Sequence, residues 1–478
     1  MAIVSNKVID VGIIGGGVGG LSLAYFISNQ NQPSKALSFK IFEKSNRLGG
    51  IIQTEQTNDF TFEHGPDSFL QKDSQLDPFF QDLKLSSRLV STIASHRRSL
   101  IVSEEKLIGI PQGFYLCAPT QTLSFLRSPL LSPAGKLRTL MEPFVPPKKT
   151  DEDESMEEFI LRRFGKENYQ RISQAMLGGI FTGDPSELSI QSCIPRLYNM
   201  EKQYGSVIRG LKKEGKDSQS QGPRYQLFRT FKRGMQELTI TLERKIPNSA
   251  IHVYSSIKSI RKDQSRWVIE DESGNVHRCK HLCLCVPSHV SANMLSHLDP
   301  ELSKSLASIP YSSSAIVNIG FAMKKNLPSA MGFVVPRTEK MNILACGFLS
   351  QKFPNRAPKG KHIIRVFLGG SFQKHFLELS NDQILDLAIK DIEKLFRTRI
   401  KVEVSSVAKW TKSLPQYVIG HQENIRSISG LLQKHENLFL GSNAYDGVGI
   451  PDTILRSKAI AEKIQKVVSL PTAPEIVS

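Results

Sequence analysis

The sequence has 478 residues, which is long for a single domain and sufficient for two or three. Lys and Arg number 62 against 45 Asp and Glu, so the formal net charge of +17 favours an anionic partner: nucleic acid, an acidic membrane surface or a polycarboxylate substrate. Six cysteines are too few for a disulfide scaffold of this size, so we expect reduced thiols in a reducing compartment.

A glycine-rich turn follows the first predicted strand, residues 7–14. Gly15, Gly17 and Gly20 keep the GxGxxG spacing, and residues 21–28 favour a helix. Such glycines allow a tight turn and a close approach of the backbone to a pyrophosphate, which then lies at the helix N-terminus. The pattern predicts dinucleotide binding, with a simple packing turn as the alternative.

The continuation of this pattern selects among dinucleotides. A second predicted strand, residues 37–42, ends in Glu43, where an acid can bind ribose hydroxyls, which favours NAD or FAD over NADP. The next residues, KSNRLGG at 44–50, place a basic residue and a glycine pair after the acid, as flavoproteins do. A further turn at Gly65-Pro66 follows. Together these features shift the prediction from NAD to FAD.

Neither a membrane span nor a metal site is predicted. The uncharged segment 11–27 is short for a spanning helix and rich in glycine, so we expect a soluble or peripherally bound protein. Histidines and cysteines alternate along residues 277–285. On a strand, neighbours on one face lie about 6.6 Å apart, whereas each ligand of a zinc ion lies about 2.0–2.3 Å from the metal. A buried strand is therefore the better interpretation of that segment.

A helical insert is predicted over residues 95–210, and polar segments at 147–158 and 211–224 indicate loops or linkers. Arginines beside Phe, Tyr and Leu in the insert suit peripheral docking on an anionic bilayer, although a solvated basic face over an ordinary core fits the same pattern. No nucleic-acid-binding motif is visible, so nucleic acid is not an expected partner. These arginines are Arg97, Arg98, Arg138, Arg162, Arg163, Arg171, Arg196 and Arg209.

The second half of the chain is predicted to be richer in strands. The strand that ends at Val286 is expected to return to the nucleotide-binding sheet, and residues 288–425 alternate strands and helices. Near the C-terminus a predicted strand, residues 437–441, leads into a second glycine-rich turn, and a helix is predicted over 452–468. The positive end of that helix would point at the flavin, so we expect the two distant glycine turns to hold one cofactor.

Six motifs together resemble the oxygen-dependent protoporphyrinogen oxidase family, bacterial type, within the flavin amine oxidase superfamily. They are GGGVGGLSLAYFI, FEKSNRLGG, EHGPDSFL, GGIFTGDPSELSI, SLPQYVIGH and YDGVGIPDTI, and they span essentially the whole chain. The resemblance implies an α/β (α+β mixed) fold: a Rossmann-like FAD-binding domain with an inserted substrate domain and a mostly helical membrane-docking domain. The implied boundaries are 1–90, 225–290 and 427–478 for FAD binding, 91–210 for docking and substrate lining, and 291–426 for substrate binding.

The resemblance also implies the reaction. A porphyrinogen loses six hydrogens in becoming a porphyrin, hydride passes to flavin N5, and O2 or a respiratory quinone accepts the electrons. Protoporphyrinogen IX, in haem biosynthesis, is the first choice of substrate, and coproporphyrinogen III, with four propionates instead of two, is the second. No catalytic side chain is expected, because the flavin carries the chemistry.

Two further functions fit some of the same motifs. One is a flavin amine oxidase, although a net charge of +17 disfavours a cationic polyamine substrate. The second is a membrane-docked flavin protein without turnover, which the intact two-ended flavin motif disfavours only weakly.

The family's functional positions carry over residue by residue. For FAD they are Gly15, Gly16, Gly17, Gly19, Gly20, Glu43, Lys44, Arg47, Gly49, Gly50, Ile51, Gly65, Pro66, Asp67, Ser68, Ile257, Trp410, Val448, Gly449 and Ile450. For the substrate they are Arg98 (Arg97 if the alignment shifts by one residue), Asp67, Val334 and Phe367. Two positions depart from relatives: plant enzymes have Asn in place of Asp67, and several bacterial ones have Arg in place of His64. An anion at Asp67 would repel a propionate or interact with pyrrole N–H groups.

The implied partners are a porphyrinogen, O2 or a quinone, and an acidic membrane surface. A homodimer and hand-over of the product to ferrochelatase are also implied. Together with the reduced thiols, these expectations place the protein in the cytoplasm, peripherally associated with the cytoplasmic membrane.

Overall fold

Two seven-stranded sheets organise the computed structural model, which describes residues 4–29, 37–217, 225–323 and 326–469. Helices pack on the sheets, and further helices within residues 122–217 form a separate insert. This confirms the mixed α/β fold.

The first ninety residues begin the first sheet. Their elements are β1 (Val4–Ile14), α1 (Val18–Ser28), β2 (Phe39–Phe42), β3 (Thr54–Thr57), β4 (Phe60–Glu63), β5 (Phe69–Leu70), α2 (Asp77–Asp82) and β6 (Leu89–Ser91).

Short strands and then helices follow, to residue 217. They are β7 (Leu100–Ser103), β8 (Lys106–Gly109), β9 (Phe114–Tyr115), β10 (Ala118–Pro119), α3 (Thr122–Arg127), α4 (Pro133–Leu140), α5 (Met156–Phe164), α6 (Lys166–Asn168), α7 (Gln174–Phe181), α8 (Ile190–Cys193), α9 (Pro195–Tyr204) and α10 (Val207–Asp217).

The remaining described elements complete both sheets. They are β11 (Phe228–Phe231), α11 (Gln236–Glu243), β12 (Ile251–His252), β13 (Ile257–Asp263), β14 (Arg266–Asp271), β15 (Val276–Leu284), α12 (Ser288–Leu295), α13 (Pro300–Ala307), β16 (Tyr311–Ala322), β17 (Gly332–Val334), β18 (Ala345–Gly347), α14 (Leu349–Lys352), β19 (His362–Gly369), α15 (Asn381–Phe396), β20 (Lys401–Pro415), α16 (His421–Leu432), β21 (Leu438–Leu440) and α17 (Ile450–Ser469).

The first sheet joins strands from three distant parts of the chain. Its order is β12-β2-β1-β15-β14-β13, with β21 also paired to β15, and the pairs among β12, β2, β1, β15 and β21 are parallel. Apolar residues cover both faces: Val11 and Ile13 pack with α1 and α17, while Ile14 packs with α12 and α13. Because the carboxyl ends of parallel strands meet at one edge, the turns after β1, β2 and β21 come together there.

The second sheet has the order β20-β16-β19-β18-β17-β7-β8. One face carries an apolar core with α15, which begins with a capping box at Ser380. Strands β7 and β8 belong to this sheet, although they lie within the stretch predicted to be mostly helical. Strand β8 pairs with β7 in a local hairpin, and β7 pairs with β17, which is distant in sequence, so no local pattern predicts that they join this sheet.

The helical insert has a core of its own, and a fully buried ion pair joins Arg163 to Glu142. Arg162 is paired with Glu154 at 2.6 Å and with Glu201 at 2.7 Å. These two arginines were expected on a basic docking face, and that expectation is wrong, because they are engaged in ion pairs inside the insert.

The end of the insert also differs from expectation. Residues 211–217 were predicted to be a polar loop, but they continue α10, which buries Val207, Ile208 and Leu211 against the insert core. The rest of that predicted loop, 218–224, lies outside the described residues. In the described parts of the chain, no helix combines the length and apolarity needed to cross a membrane.

Candidate functional site

The first glycine turn has one open position, at Gly17. A Cβ on Gly15, whose φ is +103°, would lie 2.6 Å from the carbonyl oxygen of Cys285, and one on Gly20 would overlap the carbonyl oxygen of Gly15. At Gly17 a Cβ would meet no described atom within 4 Å. Gly17 also precedes α1 in an extended conformation, and no described side chain caps the helix. The first N–H groups of α1 can therefore bind a phosphate.

Glu43 is fixed beside this turn at the end of β2. Its Oε2 accepts the N–H of Gly16 at 2.8 Å, and its Oε1 accepts the N–H and the hydroxyl of Ser45 at 2.9 and 2.7 Å. The N–H of Ser255, two residues before Ile257, donates to the carbonyl of Glu43 at 2.8 Å. A carboxylate has about four acceptor positions, so Glu43 can still accept a ribose hydroxyl.

The RLGG segment, residues 47–50, packs against the glycine turn. The N–H of Gly49 donates to the carbonyl of Gly16 at 2.8 Å. The guanidinium of Arg47 donates to the carbonyl of Gly50 at 2.6 Å and to that of Leu48 at 3.1 Å. Arg47 therefore shapes its own turn rather than reaching outward. The exposed predicted residues of this part of the site are Lys44, Gly50 and Ile51.

Residues 63–65 form a junction with the second sheet. Three side chains of the second sheet donate to three successive carbonyls: Asn318 to Glu63 at 3.2 Å, Trp410 to His64 at 2.5 Å, and Arg365 to Gly65. A Cβ on Gly65 would overlap the carbonyl of Ile51, so this position also needs glycine. The structure thus brings Gly65 and Trp410, both predicted as cofactor-binding residues, to one junction.

The carboxylate of Asp67 is engaged by cations. Lys352 Nζ lies 2.9 Å from both of its oxygens, Arg365 lies at 3.7 Å, and the hydroxyl of Ser68 donates at 2.7 Å. Burial alone would raise the pKa of Asp67, but the two cations outweigh burial and hold the pKa well below its usual range. Asp67 is therefore an anion with two opposite charges beside it, and its neighbourhood does not repel a propionate.

The second glycine turn lies against the first. A Cβ on Gly19 would be 2.7 Å from the carbonyl oxygen of Gly441, and the hydroxyl of Ser457 in α17 donates to the carbonyl of Gly19 at 2.9 Å. The turn continues through Gly447, which has a φ of +143°, to Val448, Gly449 and Ile450 at the start of α17. Both ends of the described chain therefore meet at one site.

Val334 and Phe367 share one face of the second sheet. They are joined through Ala345, which pairs with Val334 on one side and with Phe367 on the other. The guanidinium of Arg365 lies 4.8 Å from the ring centre of Phe367, and Gly179 of α7 packs over Val334. This half-buried row forms an apolar surface beside the junction at residues 63–65.

Arg98 lies at the protein surface. Its Nε donates to the carbonyl of Ser329, whereas the neighbouring Arg97 is bonded to Thr92 through the side-chain oxygen at 2.9 Å and the carbonyl at 3.0 Å. Of the two arginines, Arg98 is thus the more accessible to a carboxylate.

Four residues of this region escaped the sequence-based prediction: Arg365, Lys352, Tyr417 and Arg456. Arg365 and Tyr417 lie in the segments IRVFLGG and SLPQYVIGH, and a polar side chain inside an apolar segment was the available signal. Lys352 gave no signal, because its partner Asp67 is distant in sequence. Arg456 pairs with Asp446 on one side of the second glycine turn and donates to the carbonyl of Leu440 at 2.7 Å.

A family model described as flavin containing amine oxidoreductase matches residues 18–465. The chain belongs to this family. A coproporphyrinogen III oxidase of Bacillus subtilis (strain 168) is 30% identical over 94% of this chain and 96% of that relative. A chloroplastic protoporphyrinogen oxidase 1 of Arabidopsis thaliana is 27% identical over 92% of this chain and 85% of that relative.

Solved structures support the same fold. A crystal structure from Exiguobacterium sp. 255-15 superposes with a TM-score of 0.86 at 24% identity, over 97% of this chain and 100% of that one. Reduced UDP-galactopyranose mutase superposes with a TM-score of 0.72 at 16% identity, over 98% and 95%. At these identities the likeness shows the fold alone.

FAD is the cofactor of this family, and the site fits it. Gly17 is open toward a pyrophosphate, Glu43 has acceptor capacity for a ribose, and the two glycine turns are adjacent. The individual contacts of the predicted cofactor residues with FAD remain predictions.

Proposed function

We propose that this chain is an FAD-dependent porphyrinogen oxidase of haem biosynthesis that converts protoporphyrinogen IX to protoporphyrin IX with O2 as electron acceptor. The observation that carries the proposal is the meeting of both glycine turns, with the apolar row of Val334 and Phe367 beside the junction at residues 63–65. That arrangement suits a flat, apolar macrocycle lying next to a flavin. The names of the relatives in Bacillus subtilis and Arabidopsis thaliana support the same class of substrate.

Bound FAD supplies the acceptor for electron pairs removed from the substrate. The residues of the chain bind and orient. Val334 and Phe367 pack against pyrrole rings, and Arg98 pairs with a propionate through its guanidinium, whose fork of donors suits a carboxylate. Asp67, neutralised by Lys352 and Arg365, keeps this region free of net negative charge.

Coproporphyrinogen III is the second candidate substrate. Relatives carrying that name in Bacillus subtilis and Staphylococcus aureus (strain NCTC 8325 / PS 47) are 30% and 29% identical, the latter over 95% of this chain and 98% of its own. Four propionates also suit a chain with a net charge of +17 and an exposed Arg98.

The test is an aerobic assay of the purified holoprotein with both porphyrinogens in parallel, following porphyrin fluorescence and oxygen consumption. Enzyme-dependent fluorescence with matching oxygen uptake is expected. Its absence with both substrates contradicts the function, whereas a larger kcat/KM for coproporphyrinogen III overturns the choice of substrate alone. Turnover that needs a quinone and consumes no oxygen overturns the choice of acceptor.

The insert supports a further proposal, peripheral docking on an anionic membrane from the cytoplasmic side. Its tip exposes apolar side chains that are between 46% and 78% accessible. We call this patch the apolar tip; it comprises Leu123, Leu126, Leu137, Met141 and Phe144. Arg127, Lys136 and Lys149 lie in the same segment, and apolar residues beside cations are typical of surfaces that enter the headgroup region of a bilayer.

Sedimentation with vesicles tests docking directly. Binding should rise with the anionic lipid content and weaken at high salt, because screening shortens the reach of the cations. Binding that ignores both variables contradicts the electrostatic part. The homodimer and the hand-over to ferrochelatase are supported by no contact in the described residues and stay predictions from the resemblance.

A further inference from the structure

Residues 416–420 lie between the helical insert and the second glycine turn. Their backbone is bonded to the insert: the N–H of Ser189 donates to the carbonyl of Tyr417 at 2.9 Å, and the N–H of Ile419 donates to the carbonyl of Glu187 at 3.0 Å. The side chain of Asp153 accepts a bond from the N–H of Gly420 at 3.3 Å. The main chain of Tyr417 is therefore fixed from the insert side.

The side chain of Tyr417 reaches the second glycine turn. Its hydroxyl donates to the carbonyl of Asn443 at 2.8 Å and accepts the N–H of Gly447 at 2.9 Å. The ring is buried and stacks on His421, with ring centres 4.0 Å apart and an angle of 13° between the planes. Burial raises the pKa of Tyr417, so the hydroxyl keeps the proton that the bond to Asn443 requires.

The two bonds span the turn just before the residues predicted to face the flavin. Asn443 and Gly447 bracket the turn, and Gly447 is directly followed by Val448, Gly449 and Ile450. Gly447 has a φ of +143°. Glycine can adopt many backbone conformations besides this one, so a contact with another residue is needed to fix the backbone here. One hydroxyl supplies that contact at both ends of the turn.

We propose that Tyr417 is a positioning residue that fixes the turn 443–447 and thereby the backbone of 448–450 toward the flavin, linking the helical insert to the cofactor site. The inference rests on the proposed placement of the flavin ring beside residues 448–450. Arg456 of α17 also holds this turn, through its ion pair with Asp446. Two side chains therefore fix the turn, and Tyr417 is the one that lies outside the first sheet and its helices.

The first test is Tyr417→Phe in the full-length chain, which removes the hydroxyl and keeps the stacked ring. Gly447 N–H and Asn443 carbonyl lose their partner, so the Kd of FAD should rise about tenfold. The visible circular dichroism of the bound flavin should also change, which a purely stabilising role would not produce. The Kd is measured by titrating the apoprotein with FAD and following flavin fluorescence.

Tyr311→Phe is the matched control. Its hydroxyl also accepts a backbone N–H, that of Ser288 at 2.8 Å, but among the described residues it makes no bond to the turn. This variant should keep the Kd of FAD within about twofold of the wild type. An equal rise in both variants overturns the proposal, because it would show a general loss of stability.

If Tyr417→Phe does not fold, His421→Ala tests the same positioning role. It retains the hydroxyl but removes the ring on which Tyr417 stacks, so the Kd of FAD should rise roughly threefold. Wild-type affinity in every folded variant overturns the positioning role. These measurements need no porphyrinogen, so a chain that binds FAD as expected but oxidises neither porphyrinogen refutes the proposed function and leaves the role of Tyr417 intact.

Discussion

Lys352 supplies most of the positive charge that compensates the buried negative charge of Asp67. Both side chains are largely buried, and Lys352 also lies over the rings of Phe228 and Phe353. Lys352→Met should lower the free energy of unfolding by about 3 kcal/mol, because it leaves a buried carboxylate with only the more distant Arg365. The double variant with Asp67→Asn should recover most of that loss. Chemical denaturation of the wild type, Lys352→Met, Asp67→Asn and the double variant measures the coupling.

Lys361→Met provides the control for this cycle. Its ion pair with Glu403, at 2.5 Å, is more exposed, so its loss should cost under about 1 kcal/mol. A double variant no more stable than Lys352→Met would contradict the compensation of Asp67 by Lys352.

Arg98 is the residue-scale test of substrate charge. Arg98→Ala should raise the KM for the porphyrinogen about tenfold with little change in kcat, since a charge-assisted bond to a propionate is lost. Arg97→Ala is the comparison, because Arg97 is occupied by Thr92. Initial rates over a range of porphyrinogen concentrations decide, and an unchanged KM in Arg98→Ala would remove this residue from the substrate site.

At the scale of an element, Glu63 at the end of β4 is a pH-sensitive contact with α11. It is fully buried and accepts the N–H of Met235 at 2.9 Å, just before the helix. Burial raises the pKa of Glu63 to about 7, although Arg356 opposes the shift. A carboxyl with a raised folded-state pKa contributes stability that is complete below the unfolded pKa of about 4.5 and is lost as pH rises through about 7.

Glu63→Gln should therefore remove a pH dependence. The unfolding free energy of the wild type relative to this variant should fall by about 3 kcal/mol between about pH 4.5 and about pH 8. Denaturation curves at a series of pH values test it. A constant difference between the two proteins would show that Glu63 does not titrate in this window.

The turn Glu142–Phe144 carries the most exposed part of the apolar tip, and the buried pair of Glu142 and Arg163 anchors it. Phe144→Ser should weaken binding to anionic vesicles roughly tenfold, because it removes a large apolar side chain that would enter the bilayer. Val467→Ser, which changes an exposed apolar residue on α17, should bind as the wild type does. Equal losses in the two variants would argue against the tip.

Elements differ in how far the sequence could predict them. The strand before Gly15 and the helix after it were predictable, because alternation, glycine spacing and Glu43 all act within a few dozen residues. The end of α10 was not predicted as helix, because most of its residues are polar and its apolar residues lie on one face only. The place of the hairpin β7–β8 in the second sheet was missed because β17, the partner of β7, follows more than two hundred residues later. Lys352 was missed for the same reason: its role depends on a distant contact.

At the scale of the whole molecule, the first sheet brings both ends of the described chain together. Truncation before residue 441 should abolish FAD retention, because it removes the second glycine turn and the contacts of α17 with α1. Gel filtration followed by the visible spectrum measures retention. A yellow truncated protein would contradict the pairing of the two turns.

A milder variant separates pairing from folding. Gly19→Ala should weaken FAD retention, because its Cβ would lie 2.7 Å from the carbonyl of Gly441 and force the two turns apart. Gly109→Ala is the matched control, since no described atom lies within 4 Å of its Cβ. Equal FAD affinity of the two variants would show that the close approach of the turns is unimportant.

The position of β21 and α17 in the chain has a consequence for biosynthesis. A polypeptide emerging from the ribosome already carries Gly15 and Glu43 early in translation, but it lacks the second turn until residues 441–450 have been synthesised. We therefore expect the nascent chain to retain FAD only after the second turn has left the ribosome. Ribosomes stalled before residue 441 should carry chains without bound flavin, even when free FAD is abundant.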